Sequence, residues 1–163
     1  MRGETGCSAR AKRAIGPPSA AETEILHARI LAIDYGRARH GLAVSDALGM
    51  AGRPLPVLKR STGPRDLEAL RRVVADYDVR RLVVGLPLNM DGSEGEMAAE
   101  ARAFAAVLER ELGLPVLLED ERLSTDEAEH LLREGGLRPS RRRALRDSVA
   151  AAVILQSVLE REG

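Results

Sequence analysis

Aromatic rings are scarce in these 163 residues: Tyr35, Tyr77 and Phe104 are the whole set, and there is no tryptophan. Modules that read single strands by stacking bases on aromatic platforms are therefore a poor match. Cys7 is the sole cysteine, which excludes an internal disulfide framework and a cysteine-based zinc knuckle and fits a reducing compartment. Long apolar runs are missing as well. The longest stretch free of charge and histidine, Ser148 to Leu159, has twelve residues, against the roughly 20 that cross a bilayer. Arg2, Arg10, Lys12 and Arg13 are followed by no apolar block, so the secretory pattern fails and a cytoplasmic protein without a membrane partner is expected. Neither sign of charge dominates, because 25 basic side chains face 25 acidic ones. A polyanionic partner must show itself by local clustering. Lysine is nearly absent, with Lys12 and Lys59 beside 23 arginines, a bias that reads first as a genomic habit.

What is present suits one compact domain. Apolar residues make up 44% of the chain and charged ones 31%, an ordinary globular balance. Residues 1–27 mix Gly, Pro, Ser, Ala and charges without period and are expected to form a flexible arm, leaving 28–161 as a single domain. ARILAIDYG and HGLAVSD, joined by Gly36 to His40, read as a β-hairpin, and Leu55 to Lys59 as a weaker third strand. Pro64 starts a helix with Leu67, Leu70, Val74 and Tyr77 on one face. Val79 to Leu86 is apolar without alternation, as in a central strand covered on both sides. The polar loop Asn89 to Glu96, expected to be mobile, leads to a helix marked by Ala98, Ala101, Ala105, Leu108 and Leu112. Leu114 to Leu118 predicts a fifth strand, followed by a helix capped by Ser124 with Glu127 and ended at Gly135-Gly136. A last helix runs from after Ser140 to about Arg161. The order implies an α/β fold with a mixed five-stranded sheet, three antiparallel strands and then parallel ones.

Three carboxylates fall where chemistry could sit. Asp34 ends the first strand two residues before Gly36, a position that suits a ligand and equally suits a turn-forming aspartate. Glu121, with Asp120 as its substitute, follows the fifth strand, where α/β ligands gather and where an acid also steadies the next helix. Asp147 heads the apolar stripe of Ala150, Ala151, Ile154 and Val158. A carboxylate aimed at a sheet needs a metal or a cation such as Arg143 or Arg146 beside it. Three carboxylates without histidine or cysteine spacing favour hard ions, Mg²⁺ or Mn²⁺. A pair of such ions suits phosphodiester hydrolysis. Arg37, Arg39 and Arg122 flank these acids, and Arg141, Arg142, Arg143 and Arg146 precede Asp147. They are candidates for gripping phosphates, or simply solvated faces in an arginine-rich chain.

Four blocks, ILAIDYGRARHGLAVSD, VVGLPLNMDGSEGE, EDERLSTDEAEHLL and RDSVAAAVILQSVLE, resemble in order and spacing the YqgF family of pre-16S rRNA processing, Holliday junction resolvase-like nucleases, over residues 29–160. The resemblance implies a ribonuclease H-like fold, a cytoplasmic nuclease, and a part in maturing the 5′ end of the 16S rRNA precursor, on a ribosomal precursor particle or free RNA. It places the family's acids on Asp34, Glu121 and Asp147. Substrate contacts are expected from Arg37, Arg39, Asn89, Arg122 and Arg143. Ala38 stands where relatives often carry lysine, which removes one phosphate contact. Branched four-way DNA is the alternative substrate, and a non-catalytic nucleic-acid or ribosome-associated module the alternative class. An actin-like phosphotransferase is disfavoured because the second lobe of its ATP site is missing. A monomer or weak homodimer is expected.

Overall fold

The computed structural model describes residues 17, 19, 20, 28–122 and 124–162, with the side chains of 124–126, 143 and 144 outside that set. Strands β1 (Arg29–Asp34), β2 (Arg39–Ser45) and β3 (Gly52–Lys59) are followed by α1 (Gly63–Asp76), β4 (Val79–Leu86), α2 (Glu96–Leu112), β5 (Val116–Asp120), α3 (Ser124–Glu134) and α4 (Pro139–Glu162). The five strands lie in the order β3-β2-β1-β4-β5. β1 pairs antiparallel with β2 and parallel with β4, β2 runs antiparallel to β3, and β5 runs parallel to β4. The α/β architecture and mixed sheet expected from the sequence are those observed. The expected N-terminal arm lies almost wholly outside the described residues.

Side-chain alternation assigns the two faces of the sheet. Leu31, Ile33, Leu42, Val44, Leu82 and Val84 face α1 and α2, where Leu70, Ala101 and Leu108 complete one core. Ile30, Ala32, Ala43 and Val83 face the other way and pack on Ala151, Ile154, Leu155 and Val158 of α4. Every second residue of β1, β2 and β4 thus meets α4, and continuing that parity carries Asp34, Arg39, Gly41 and Gly85 to the same side. The edge strand β3 carries Pro54 and Pro56, which remove ladder donors and blunt the edge against further pairing.

Local chemistry fixes the ends of the helices. Thr62 caps α1, its Oγ1 accepting from the Arg65 N–H at 3.4 Å, with Pro64 in the first turn. Gly113, at φ 65°, closes α2 in a left-handed conformation that only glycine adopts without cost. Three expectations are adjusted. β5 begins at Val116 and extends to Asp120, because it takes its register from β4, Leu82 opposite Val116 through Leu86 opposite Asp120. α4 begins at Pro139, a residue favoured in a first helical turn. The loop after β4 is closed by its own bonds: Asn89 N–H to Ser93 O at 2.8 Å, Gly92 N–H to Asn89 O at 2.8 Å, and Asn89 Nδ2 to Ser93 Oγ at 2.9 Å. The proposed capping contact of Ser124 lies outside the described side chains.

Candidate active site

Asp34 ends β1, the strand at the centre of the sheet, and Glu121 follows β5 by one residue. Their carboxyls interact across the end of β4, each shifting the titration of the other. Gly85 of β4 makes this possible. A Cβ there would stand 2.1 Å from Glu121 Oε2 and 2.8 Å from Ile154 Cδ1, so the Glu121 carboxyl occupies the space that a side chain at position 85 would need. Gly41 performs the same service between β2 and α4, because its Cβ would meet the Asp147 carbonyl oxygen at 1.9 Å. The backbone of α4 lies directly on β2 at this point, and the Asp147 side chain comes down beside the carboxyl pair. Ser148 pins the next residue, its hydroxyl donating to Leu55 O at 2.6 Å.

Charge at this corner is arranged against water. The Asp34 carboxyl is raised to about 6: burial pushes it up most, with the Asp147 charge, while the Glu121 carboxyl and the Arg146 charge pull it down. Glu121 is raised to about 9, first by burial and then by the nearby Asp34 carboxyl and the charge of Asp120. At neutral pH the pair therefore shares one proton. Asp147 is bonded by Arg39 Nε, and Arg146 Nε lies 3.7 Å from its other oxygen. The cation beside Asp147 thus comes first from Arg39 on β2, with Arg146 as the second partner.

The remaining candidates sort by parity and partner. Asp120 points away from the carboxyl pair and is held by Arg122, N–H to Oδ1 at 3.0 Å and Nε to Oδ2 at 2.9 Å. It is not placed to substitute for Glu121. Arg122 also reaches Met90 O at 3.4 Å, tying the loop after β4 to the end of β5. Arg37 turns to α2 and pairs with Glu100 at 2.7 Å, and Asn89 is spent on Ser93. The Arg143 side chain lies outside the described residues. Glu119, the first acid after Leu118, is buried under α4 with Ser157 and Arg161 as partners. Gly41, Gly85 and Ser148 were not singled out from the sequence. Glycines inside strands were the available signal for the first two, since they mark a close backbone approach.

The carboxylates fit hard divalent cations in chemistry. The donor set is all oxygen, and two half-buried acids share a proton that a cation would displace. Among the described residues, no three His, Cys, Asp or Glu side chains already surround a single ion position. No helix among the described residues is long and apolar enough to cross a membrane.

Comparison with known proteins gives the geometry its relatives. The family described as "RuvX: Holliday junction resolvase" matches residues 28–161. A protein of Anaeromyxobacter sp. (strain K), named "Putative pre-16S rRNA nuclease", is 52% identical over 133 residues, covering 82% of this chain and 97% of that one. A protein of Koribacter versatilis with the same name is 44% identical over 142 residues, 87% and 93% of the two chains. Among solved structures, T. thermophilus RuvC in complex with Holliday junction substrate aligns with TM-score 0.50 at 22% identity, over 84% of this chain and 97% of that one. That likeness establishes the shared resolvase-type, ribonuclease H-like fold. With the family match spanning every element from β1 to α4, the chain belongs to the RuvX family, the family to which the YqgF resemblance pointed.

Proposed function

We propose that this chain is a metal-dependent endonuclease that hydrolyses phosphodiester bonds in the cytoplasm and trims the 5′ end of the 16S rRNA precursor. The observation that carries the reading is the half-buried, mutually interacting Asp34–Glu121 carboxyl pair with Asp147 beside it. Ordinary folds avoid burying like charges unless a cation or a function needs them. Asp34, Glu121 and Asp147 would hold Mg²⁺ or Mn²⁺, two ions in the fullest arrangement, and such ions when bound supply Lewis-acid chemistry at the phosphodiester and offset the charge that builds on it. Arg39 orients Asp147, and Arg146 adds positive charge on the α4 side of the site. Both guanidiniums lie where the flanking phosphates of a strand crossing the carboxylates would pass. Arg122 steadies the loop after β4, and Glu121 holds the pair's proton until the site is charged. The relatives' printed name supports RNA as substrate.

Cutting of four-way DNA is the second reading, favoured by the description of the matched family. The same carboxylates would serve either backbone, and no residue at the site reports a 2′-hydroxyl contact. Cleavage of end-labelled 16S precursor RNA and of a four-way DNA junction by wild type and Asp34→Asn, with Mg²⁺, with Mn²⁺ and with EDTA, tests both. RNA products that require metal and vanish in the variant are expected. Junction products alone would move the substrate to DNA, and RNA binding without any products would make the chain a non-catalytic module.

A further inference from the structure

Between α3 and α4 lies a cleft of about 250 Å³ lined by Glu129, Leu132, Arg133, Pro139, Arg142 and Arg146. Resting on the nuclease reading above, we propose that this cleft seats one unpaired nucleotide of the substrate strand next to the position being cut. Its volume falls below the roughly 300 to 1,000 Å³ of sites that enclose whole small molecules. A fragment of a longer ligand is the better occupant.

The lining says what kind of fragment. Three guanidiniums surround one carboxylate, and Glu129 is shared between Arg133 at 3.6 Å and Arg146 at 3.7 Å, so the rim keeps an excess of positive charge. The first turn of α4 carries no acidic residue, leaving the positive end of the helix dipole to act with that rim on an anion. Leu132 and Pro139 add apolar surface within the cleft. Phosphate at a guanidinium rim and an apolar base or ribose against aliphatic carbon is the chemistry of a nucleotide. A duplex keeps its bases stacked inside and would offer only phosphates, wasting the apolar part, whereas an unpaired nucleotide offers both. Arg146 links the two places, lining the cleft while its Nε stands 3.7 Å from Asp147 Oδ1. A strand seated here runs directly past the carboxylates.

Binding of a short single-stranded RNA and of a blunt duplex RNA, titrated in EDTA at several salt concentrations, separates the possibilities for wild type, Arg133→Ala and Arg142→Ala. Arg133 is exposed and Arg142 half-buried, and thermal melts check that the variants fold. Each variant is expected to bind the single strand about tenfold more weakly, the scale of one lost charged hydrogen bond. Its salt slope should fall by about 0.7, with duplex binding unchanged. Equal losses on both RNAs, no loss on either, or no measurable single-strand binding by the wild type would overturn the proposal. Cleavage of precursor RNA by the wild type in Mn²⁺ tests the parent reading separately. Binding that follows the pattern above beside absent cleavage would sink the nuclease and keep the cleft.

Discussion

Single atoms decide whether this site can exist, and the glycines show it most directly. Gly85→Ala must displace Glu121 Oε2, 2.1 Å from the new methyl group, and Ile154. Overpacking of this kind costs about 1 to 3 kcal/mol. The expected outcome is a folded protein of reduced urea midpoint whose cleavage rate drops at least as far as that of Glu121→Gln, and cleavage at the wild-type rate would contradict the placement of Glu121. Titration is also a residue-scale property. Glu121 carries a raised pKa, about 9 against an ordinary 4.5, so its contribution to stability is complete below about 4.5 and is lost as pH rises toward 9. Buried His40, stacked 4.8 Å from Phe104 with Nδ1 accepting from the Gly36 N–H at 3.3 Å, behaves in the opposite sense. Burial, helped by the Arg60 charge, lowers it from 6.5 to about 4, and stability is lost as pH falls through that window. From pH 7 to 9 only the carboxyl of these two groups acts. The Tm of the wild type in EDTA should fall over that range while that of Glu121→Gln stays level; a level wild-type curve would refute the shared proton.

At the scale of elements, α4 carries both a core and a corner of the site, and the two can be separated. Ile154 is 2% exposed and packs on β4 and β1; Ile154→Ala should cost about 2 to 5 kcal/mol in chemical denaturation. Ser148→Ala leaves the buried Leu55 carbonyl without its side-chain partner and should cost about 1 to 3 kcal/mol. The two variants should differ in function. Ser148 fixes the helix next to Asp147 and should lower kcat at temperatures where both proteins are folded, whereas Ile154→Ala should spare it; equal kcat in both would show that the seat of α4 on β3 does not position Asp147. The loop after β4 was legible from the sequence as a loop, but not as one closed on itself. Its turn residues announce flexibility, while Asn89, Gly92 and Ser93 consume that freedom in mutual hydrogen bonds.

For the molecule as a whole, stability and metal affinity are coupled through the buried acids. Any ion bound by the folded state alone stabilises it by mass action. Mn²⁺ is therefore expected to raise the Tm of the wild type and to leave that of Asp34→Asn unchanged, as read by calorimetry; equal shifts in both would remove Asp34 from the ion site. The sequence by itself determined a good deal here. Periodicity placed Leu67, Leu70 and Val74 on the core-facing side of α1, with Tyr77 just past its end, and Ala151, Ile154 and Val158 under the sheet, because helix geometry converts spacing into direction without reference to anything distant. Alternation along β1 likewise aims Asp34 at the face that carries Ile30 and Ala32. Ionic partners were not determined in this way. Arg39 rather than a neighbour on α4 bonds Asp147, across 108 positions, Asp120 turns to Arg122, and Arg37 leaves the site for Glu100. Long arginine side chains reach whichever carboxylate the packing brings near, so their pairing is a property of layers in contact. The α3–α4 cleft is of the same kind, since neither helix encodes alone the space that opens where the two meet.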